Sequence, residues 1–249
     1  MTTFAHISDS HLGAGGDEVD NCKSLVADLI ERRPDFVLHS GDVTDNGAPA
    51  EYANAEVEFG KLDRAGIPGL FVPGNHDCGW KGITWSDLSY EQFHLFRERT
   101  FKTPRGFPYV MTCDDGVRFI CLDSCEATSG DRASLAKGEI GYLQAMRLAK
   151  YLDDDYFSVV MLHHHPFDRG FGLELVDSEH ILYMLAERCD LLLFGHRHSW
   201  DAWSESYGID KLFAADKTTQ PHEGALRYRM FEATKADGLV SYETITVHV

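Results

Sequence analysis

Five short stretches of this sequence concentrate Asp, His and Asn in spacings that suit metal ions. They are Asp9-x-His11, Gly41-Asp42, Gly74-Asn75-His76-Asp77, the run His163-His164-His165-Pro166, and Gly195-His196-x-His198. Residues at i and i+2 in extended backbone share a face, so Asp9 with His11, and His196 with His198, can reach one ion together. Oxygen and imidazole nitrogen donors of this mix bind divalent metals. Any one stretch alone also reads as a polar turn, since Gly and Asp are common turn residues. Glycine before Asn75 admits close backbone approach, which makes that loop the most telling of the five.

Convergence depends on the elements that carry these loops. Short apolar or β-branched runs at 4–8, 35–39, 67–72, 117–122, 157–162 and 190–194 predict buried strands, and most of them end directly at one of the five stretches. Between several of them, 21–33, 50–66, 139–152 and 178–189 bring apolar residues back every three or four positions, as helices do. Strand and helix in alternation predict an α/β fold with parallel strands, as one domain over 1–249. In open α/β sheets, ligands bind outside the carboxyl ends of the strands, where the five loops would meet. From about residue 207 onward successive strand-like runs joined by turns predict a mostly antiparallel closing section.

Composition excludes several classes. The 249 residues carry a formal charge of −17, which opposes the phosphate attraction that drives generic nucleic-acid binding. No apolar run is long enough to span a membrane, and the start lacks a basic region followed by an apolar one, so a cytoplasmic protein is expected. Six cysteines without CxxC spacing suggest neither a zinc ribbon nor a disulfide framework.

The five motifs together, over residues 9 to 198, resemble the calcineurin-like metallophosphoesterases. "HISDSHL", "GDVTDNG", "HHPF" and "KGEIGYLQAMRLAKYL" are most similar to that superfamily's cyclic-nucleotide and glycerophosphodiester phosphodiesterase branch. The resemblance implies a four-layer α/β/β/α sandwich with two divalent ions (Mn, Fe, Zn or Co). Asp9, His11 and His198 would hold one ion and Asn75, His164 and His196 the other, with Asp42 between them. The ions would share a bridging hydroxide that attacks a small phosphoester, preferably a diester. His76 would donate to the leaving oxygen, and Asp77, grouped with it as catalytic, would orient His76 or the loop.

His164 is selected because the family's ligand stands two residues before the proline. His163 departs from that pattern and is open to three readings: a strand-end histidine bonded to backbone, a supporting role, or a ligand register shifted by one. Asn75, His76, Arg169, Trp80 and Phe167 are candidate substrate contacts, with Asp45 and Asn46 close by. Members of the branch are often dimers, so a homodimer is expected as readily as a monomer. The same metal site also serves phosphomonoesterases, nucleotide pyrophosphatases, nucleases and a metal-dependent scaffold. The acidic charge weighs against a nuclease, and His76, absent from the scaffold type, favours catalysis.

Overall fold

The computed structural model describes residues 1–13, 16–129, 136–167, 173 and 175–249, with Trp80 described by its main chain alone. Strands β1 (Thr2–Ile7), β2 (Phe36–His39) and β3 (Gly69–Phe71) run parallel, connected by helices α1 (Glu18–Arg32) and α2 (Pro49–Arg64). Helix α3 (Asp87–Phe101) leads to a second sheet. That sheet contains β4 (Tyr109–Thr112), β5 (Val117–Cys121), β6 (Phe157–Met161), β7 (Leu191–Phe194), β8 (Ala202–Ser206) and β9 (Ile209–Ala214), in the order β4-β5-β6-β7-β9-β8. Its central strands β5, β6, β7 and β9 are parallel, with α4 (Tyr142–Leu148) before β6 and α5 (Ser178–Leu185) before β7. β10 (Ala225–Thr234) returns to pair antiparallel with β1, and β11 (Gly238–His248) completes the first sheet as β11-β10-β1-β2-β3.

Side-chain alternation shows how the layers meet. Val159, Met161, Leu191, Leu193 and Phe213 join the apolar cluster that contains Phe4, Phe119 and Phe231, whereas Val160, Leu162, Leu192, Phe194 and Leu212 pack with Leu148, Ile181 and Leu185 of α4 and α5. Phe119 of the second sheet stands edge-on to Phe4 of the first at 5.1 Å and lies 5.1 Å from Phe36, so the sheets are joined by interdigitated rings. Two sheets flanked by helices are the fold expected. No helix among the described residues is long and apolar enough to cross a membrane.

Three differences from the sequence reading have local causes. Helix α3 escaped it because its buried face includes His94, Arg97 and Thr100 beside Phe93 and Phe96, which breaks the apolar repeat. Its start is fixed by Ser86, whose hydroxyl accepts from the Ser89 N–H at 3.2 Å. Helix α4 begins later than 139 because the Ile140 and Gly141 N–H groups donate to the Asp177 carboxylate at 3.1 and 2.9 Å. The tail strands also divide: β9 pairs parallel with β7 on one side and antiparallel with β8 on the other, whereas β10 and β11 pair antiparallel throughout.

Phe119 is the ring on which both sheets close. Phe119→Ala should lower unfolding stability by about 3–5 kcal/mol, read from urea denaturation; a loss below about 1 kcal/mol would contradict its role between the sheets.

Candidate metal centre

The cluster lies where the carboxyl ends of β1, β2 and β3 face those of β6 and β7. Asp9 and His11 follow β1, Asp42 follows β2, Asn75 and His76 follow β3, His163 follows β6, and His196 and His198 follow β7. Turning side chains of five successive loops toward one point needs unusual backbone. Asp9 (φ 52°), His11 (42°), Asp42 (56°), His196 (71°) and His198 (47°) all adopt left-handed φ, a conformation that is costly for residues other than glycine and concentrates at functional sites. Two glycines make the approach possible: a Cβ at Gly74 would strike the Asp42 carboxylate, and one at Gly195 would strike Ser8 and Asp9.

Among the described residues, two overlapping groups of ligand atoms share Asp42, and a third, of His11, Asp45 and His76, adjoins them through His11. Of the two, Asp9, His11, Asp42 and His198 form one, and Asp42, His163 and His196 the other, each with its ligand atoms within 4.8 Å of one another. Asp42 Oδ2 lies 3.6 Å from His11 Nε2 and 3.3 Å from His163 Nε2, so its carboxylate belongs to both. Asp9 Oδ1 lies 3.2 Å from His198 Nε2, and the two imidazoles of His11 and His198 meet at 3.2 Å. Asn75 points its Oδ1 between His163 Nε2 and His196 Nδ1, 3.0 Å from each, because its amide N–H donates to the Gly82 carbonyl at 3.0 Å.

The histidine run brings two rings to the cluster: His163 belongs to the second group of ligand atoms, and His164 stands beside it with its ring 4.5 Å from that of His196. The Nδ1–H of His163 donates to the Ser40 carbonyl at 2.8 Å, which turns Nε2 toward Asp42 and Asn75. His164 Nδ1 lies 2.8 Å from Ser124 Oγ, and His165 packs its ring against Phe194 and Trp203. The strand ends at Met161 and the chain bends at 163–164, so the three rings take three directions. The missed signal was phase: Val159 and Met161 face the inter-sheet cluster, and His163 continues that series.

Asp77 is fully buried and bonds the loops around it. Its carboxylate accepts from the N–H groups of Val43 (3.1 Å), Thr44 (2.9 Å) and Gly74 (3.0 Å), and so ties the Asp42 loop to the Asn75 loop. His76 sits beside the cluster, its ring 4.6 Å from that of His11 and its side chain 23% exposed. Its main-chain N–H donates to Asp42 Oδ1 at 2.8 Å, and its Nδ1–H donates to the Asp45 carbonyl at 2.7 Å. Asp45 also places its carboxylate 3.5 Å from His11 Nδ1, while Asn46 donates to Asp45 and Glu51 and accepts from the Lys81 N–H. Phe167 packs on Phe194, Trp203 and Tyr207, away from the cluster. Arg169 lies outside the described residues, as does the Trp80 side chain.

Charge at this seam is balanced by neighbours. Burial raises the Asp9 carboxyl, but hydrogen bonds from His11 and His198 outweigh it and hold the group well below its usual range. Burial opposes charge on His11 and His163 too, yet Asp45, Asp9 and Asp42 push His11 up to about 10, and Asp42 pushes His163 up to about 9. His196 goes the other way, to about 3, through burial and the charge of His163, which keeps it neutral with a lone pair to offer. Carboxylates, imidazoles and one amide oxygen converging this closely are a donor set that fits divalent cations.

An Asp and His cluster at the strand ends of two packed sheets is a candidate centre for divalent metals. Residues 2–200 match the family model of calcineurin-like phosphoesterases, and the chain belongs to that family. It is 24% identical to a probable glycerophosphodiester phosphodiesterase of Arcobacter nitrofigilis over 97% of this chain and 86% of that protein. It is 27% identical to a probable cyclic nucleotide phosphodiesterase of Synechococcus over 87% of this chain and 80% of that protein. Among solved structures, a dimetal phosphatase of Danio rerio shares the fold, with a TM-score of 0.66 at 16% identity over 99% of both chains.

Two outcomes are expected. Below pH 9 the metal-free centre holds protons on His11 and His163 that a cation must displace, so manganese affinity should rise from pH 6 to 9 and uptake at pH 7 should release protons into a weakly buffered indicator solution. Flat affinity without proton release would refute that linkage. His163→Ala should weaken manganese retention beyond the ~10- to 100-fold typical of supporting residues, and more than His164→Ala; equal retention would remove His163 from the ligand set.

Proposed function

We propose that this chain is a dinuclear metal phosphodiesterase acting on small diesters of the cyclic-nucleotide or glycerophosphodiester type. The observation that carries the reading is the Asp42 carboxylate, shared by two ligand groups and bonded to the His76 N–H through its other oxygen. Asp9, His11 and His198 would hold one ion and Asn75, His163 and His196 the second, with Asp42 shared. Divalent ions in such a pair supply Lewis acidity toward phosphoryl oxygens and lower the pKa of water toward 7. Mn, Fe, Zn and Co all suit these donors.

The chain's own groups do the rest. The Asp45 carbonyl takes the Nδ1–H of His76 and so leaves Nε2 to face the substrate, where in the imidazolium form its N–H would pass a proton to the departing alcohol oxygen and leave the ring neutral. Asp77 keeps the two loops in register. The resemblance to the two phosphodiesterases supports diesters over monoesters. His76, half-exposed next to the ligands, favours catalysis over a purely structural metal site.

Chelator-stripped protein restored with manganese should hydrolyse bis(p-nitrophenyl) phosphate faster than p-nitrophenyl phosphate, and His76→Ala should lower kcat by about 10²–10⁴-fold. Preference for the monoester would replace the reading with a phosphomonoesterase. Metal uptake with turnover of neither would leave a scaffold.

A further inference from the structure

A groove of about 440 Å³ opens from the ligand cluster, with His11 in its wall. Its wall carries the carboxylates of Asp17, Glu18 and Asp20, the Asn21 amide and the Lys217 ammonium, with Pro221 and Val249 as apolar members. Glu18 accepts from the Gly16 N–H and Asp20 pairs with Lys23 at 2.6 Å. Lys217 makes no ion pair among the described residues, although the chain carries a formal charge of −17 and three carboxylates share its groove.

The position of Lys217 is set with unusual care. The next residue, Thr218, donates its N–H to the Ser8 carbonyl at 3.0 Å, and its hydroxyl bonds the Ser8 carbonyl at 2.7 Å and receives the Ser8 N–H at 2.8 Å. Thr219 donates its hydroxyl to the Ser10 carbonyl at 2.7 Å, and its own carbonyl accepts from the Asn21 amide at 2.9 Å. These bonds clamp the main chain on either side of Asp9 to the segment that carries Lys217. The main chain that carries Lys217 is thus fixed relative to the first ligand group, and the lysine lines the groove.

We propose that this groove receives the alcohol arm of the ester, and that Lys217 is the specificity-determining residue that selects a hydroxyl-rich arm over an aromatic one. Lys217 donates to oxygens of the arm, while Asp17, Asp20 and Asn21 offer acceptors for its hydroxyls. A nucleobase would instead need an aromatic face to stack on, and among the described lining residues His11 alone supplies an aromatic ring. The inference rests on the phosphoester reading above, so its test uses binding as well as turnover.

Calorimetry on the manganese-restored protein would compare sn-glycerol 3-phosphate with inorganic phosphate. The wild type should bind the glycerol ester more tightly, and Lys217→Ala should reduce that advantage by about 10-fold, with Lys217→Arg recovering part of it and metal content the same in all three. In turnover, Lys217→Ala should lower the kcat/KM ratio of glycerophosphoglycerol to bis(p-nitrophenyl) phosphate, chiefly through KM. Equal affinity for glycerol phosphate and phosphate in the wild type, or an advantage unchanged in Lys217→Ala, would overturn the assignment. If the wild type cleaves neither diester yet shows the Lys217-dependent binding advantage, the phosphodiesterase reading fails and the subsite stands.

Discussion

One buried carboxylate sets the conditions for the rest of the molecule. Asp42 is only 2% exposed, and a charge so enclosed is tolerable only when opposite charges or donors surround it. Its partners come from both sheets: His11 and the His76 N–H from the first, His163 from the second. For those groups to arrive together, the parallel strands of both sheets must end on the same edge, and the face-to-face packing through Phe4, Phe119 and Phe231 holds them there. The apolar seam and the polar edge are thus two parts of one arrangement.

Around that carboxylate, each loop is held by its own device. Asp77 gathers three N–H groups from two loops, and Gly82 turns the Asn75 amide. His39 does similar work beneath the first group: the Gly41 N–H donates to its Nδ1 at 3.2 Å, and its Nε2 bonds Ser10 Oγ at 2.8 Å, which ties the Asp42 loop to the residue between Asp9 and His11. Burial holds His39 down at about 3, so the ring stays neutral and can accept and donate at once. The strained φ values at the ligands persist because such contacts over-determine them.

Much of this was legible from the residues alone. Strand, polar loop and helix in alternation give the layer order, and the ligand-rich loops at strand ends give Asp9, His11, Asp42, Asn75, His196 and His198. What was not legible depended on phase or on distant partners. Proline spacing pointed to His164, while the inward phase of Val159 and Met161 carries His163 to the cluster. Asp77 reads from the sequence as orienting His76 or the loop, but which loop it bonds, that of Asp42 with partners 33 and 34 positions earlier in the chain, is not visible from its neighbours. Helix α3 hid behind polar residues that tertiary packing buries, and a local repeat cannot reveal those.

The clasp between Thr218 and Ser8 joins residues 210 positions apart, and β1 gains its second neighbour only when β10 has formed. Contacts of such sequence separation close large loops and form late in folding. The Asp9 loop therefore takes its final shape only once the segment around Thr218 and β10 has docked on it. Until that segment docks, the main chain on either side of Asp9 lacks the bonds that hold it, so assembly of the first ligand group is tied to the closing of the fold.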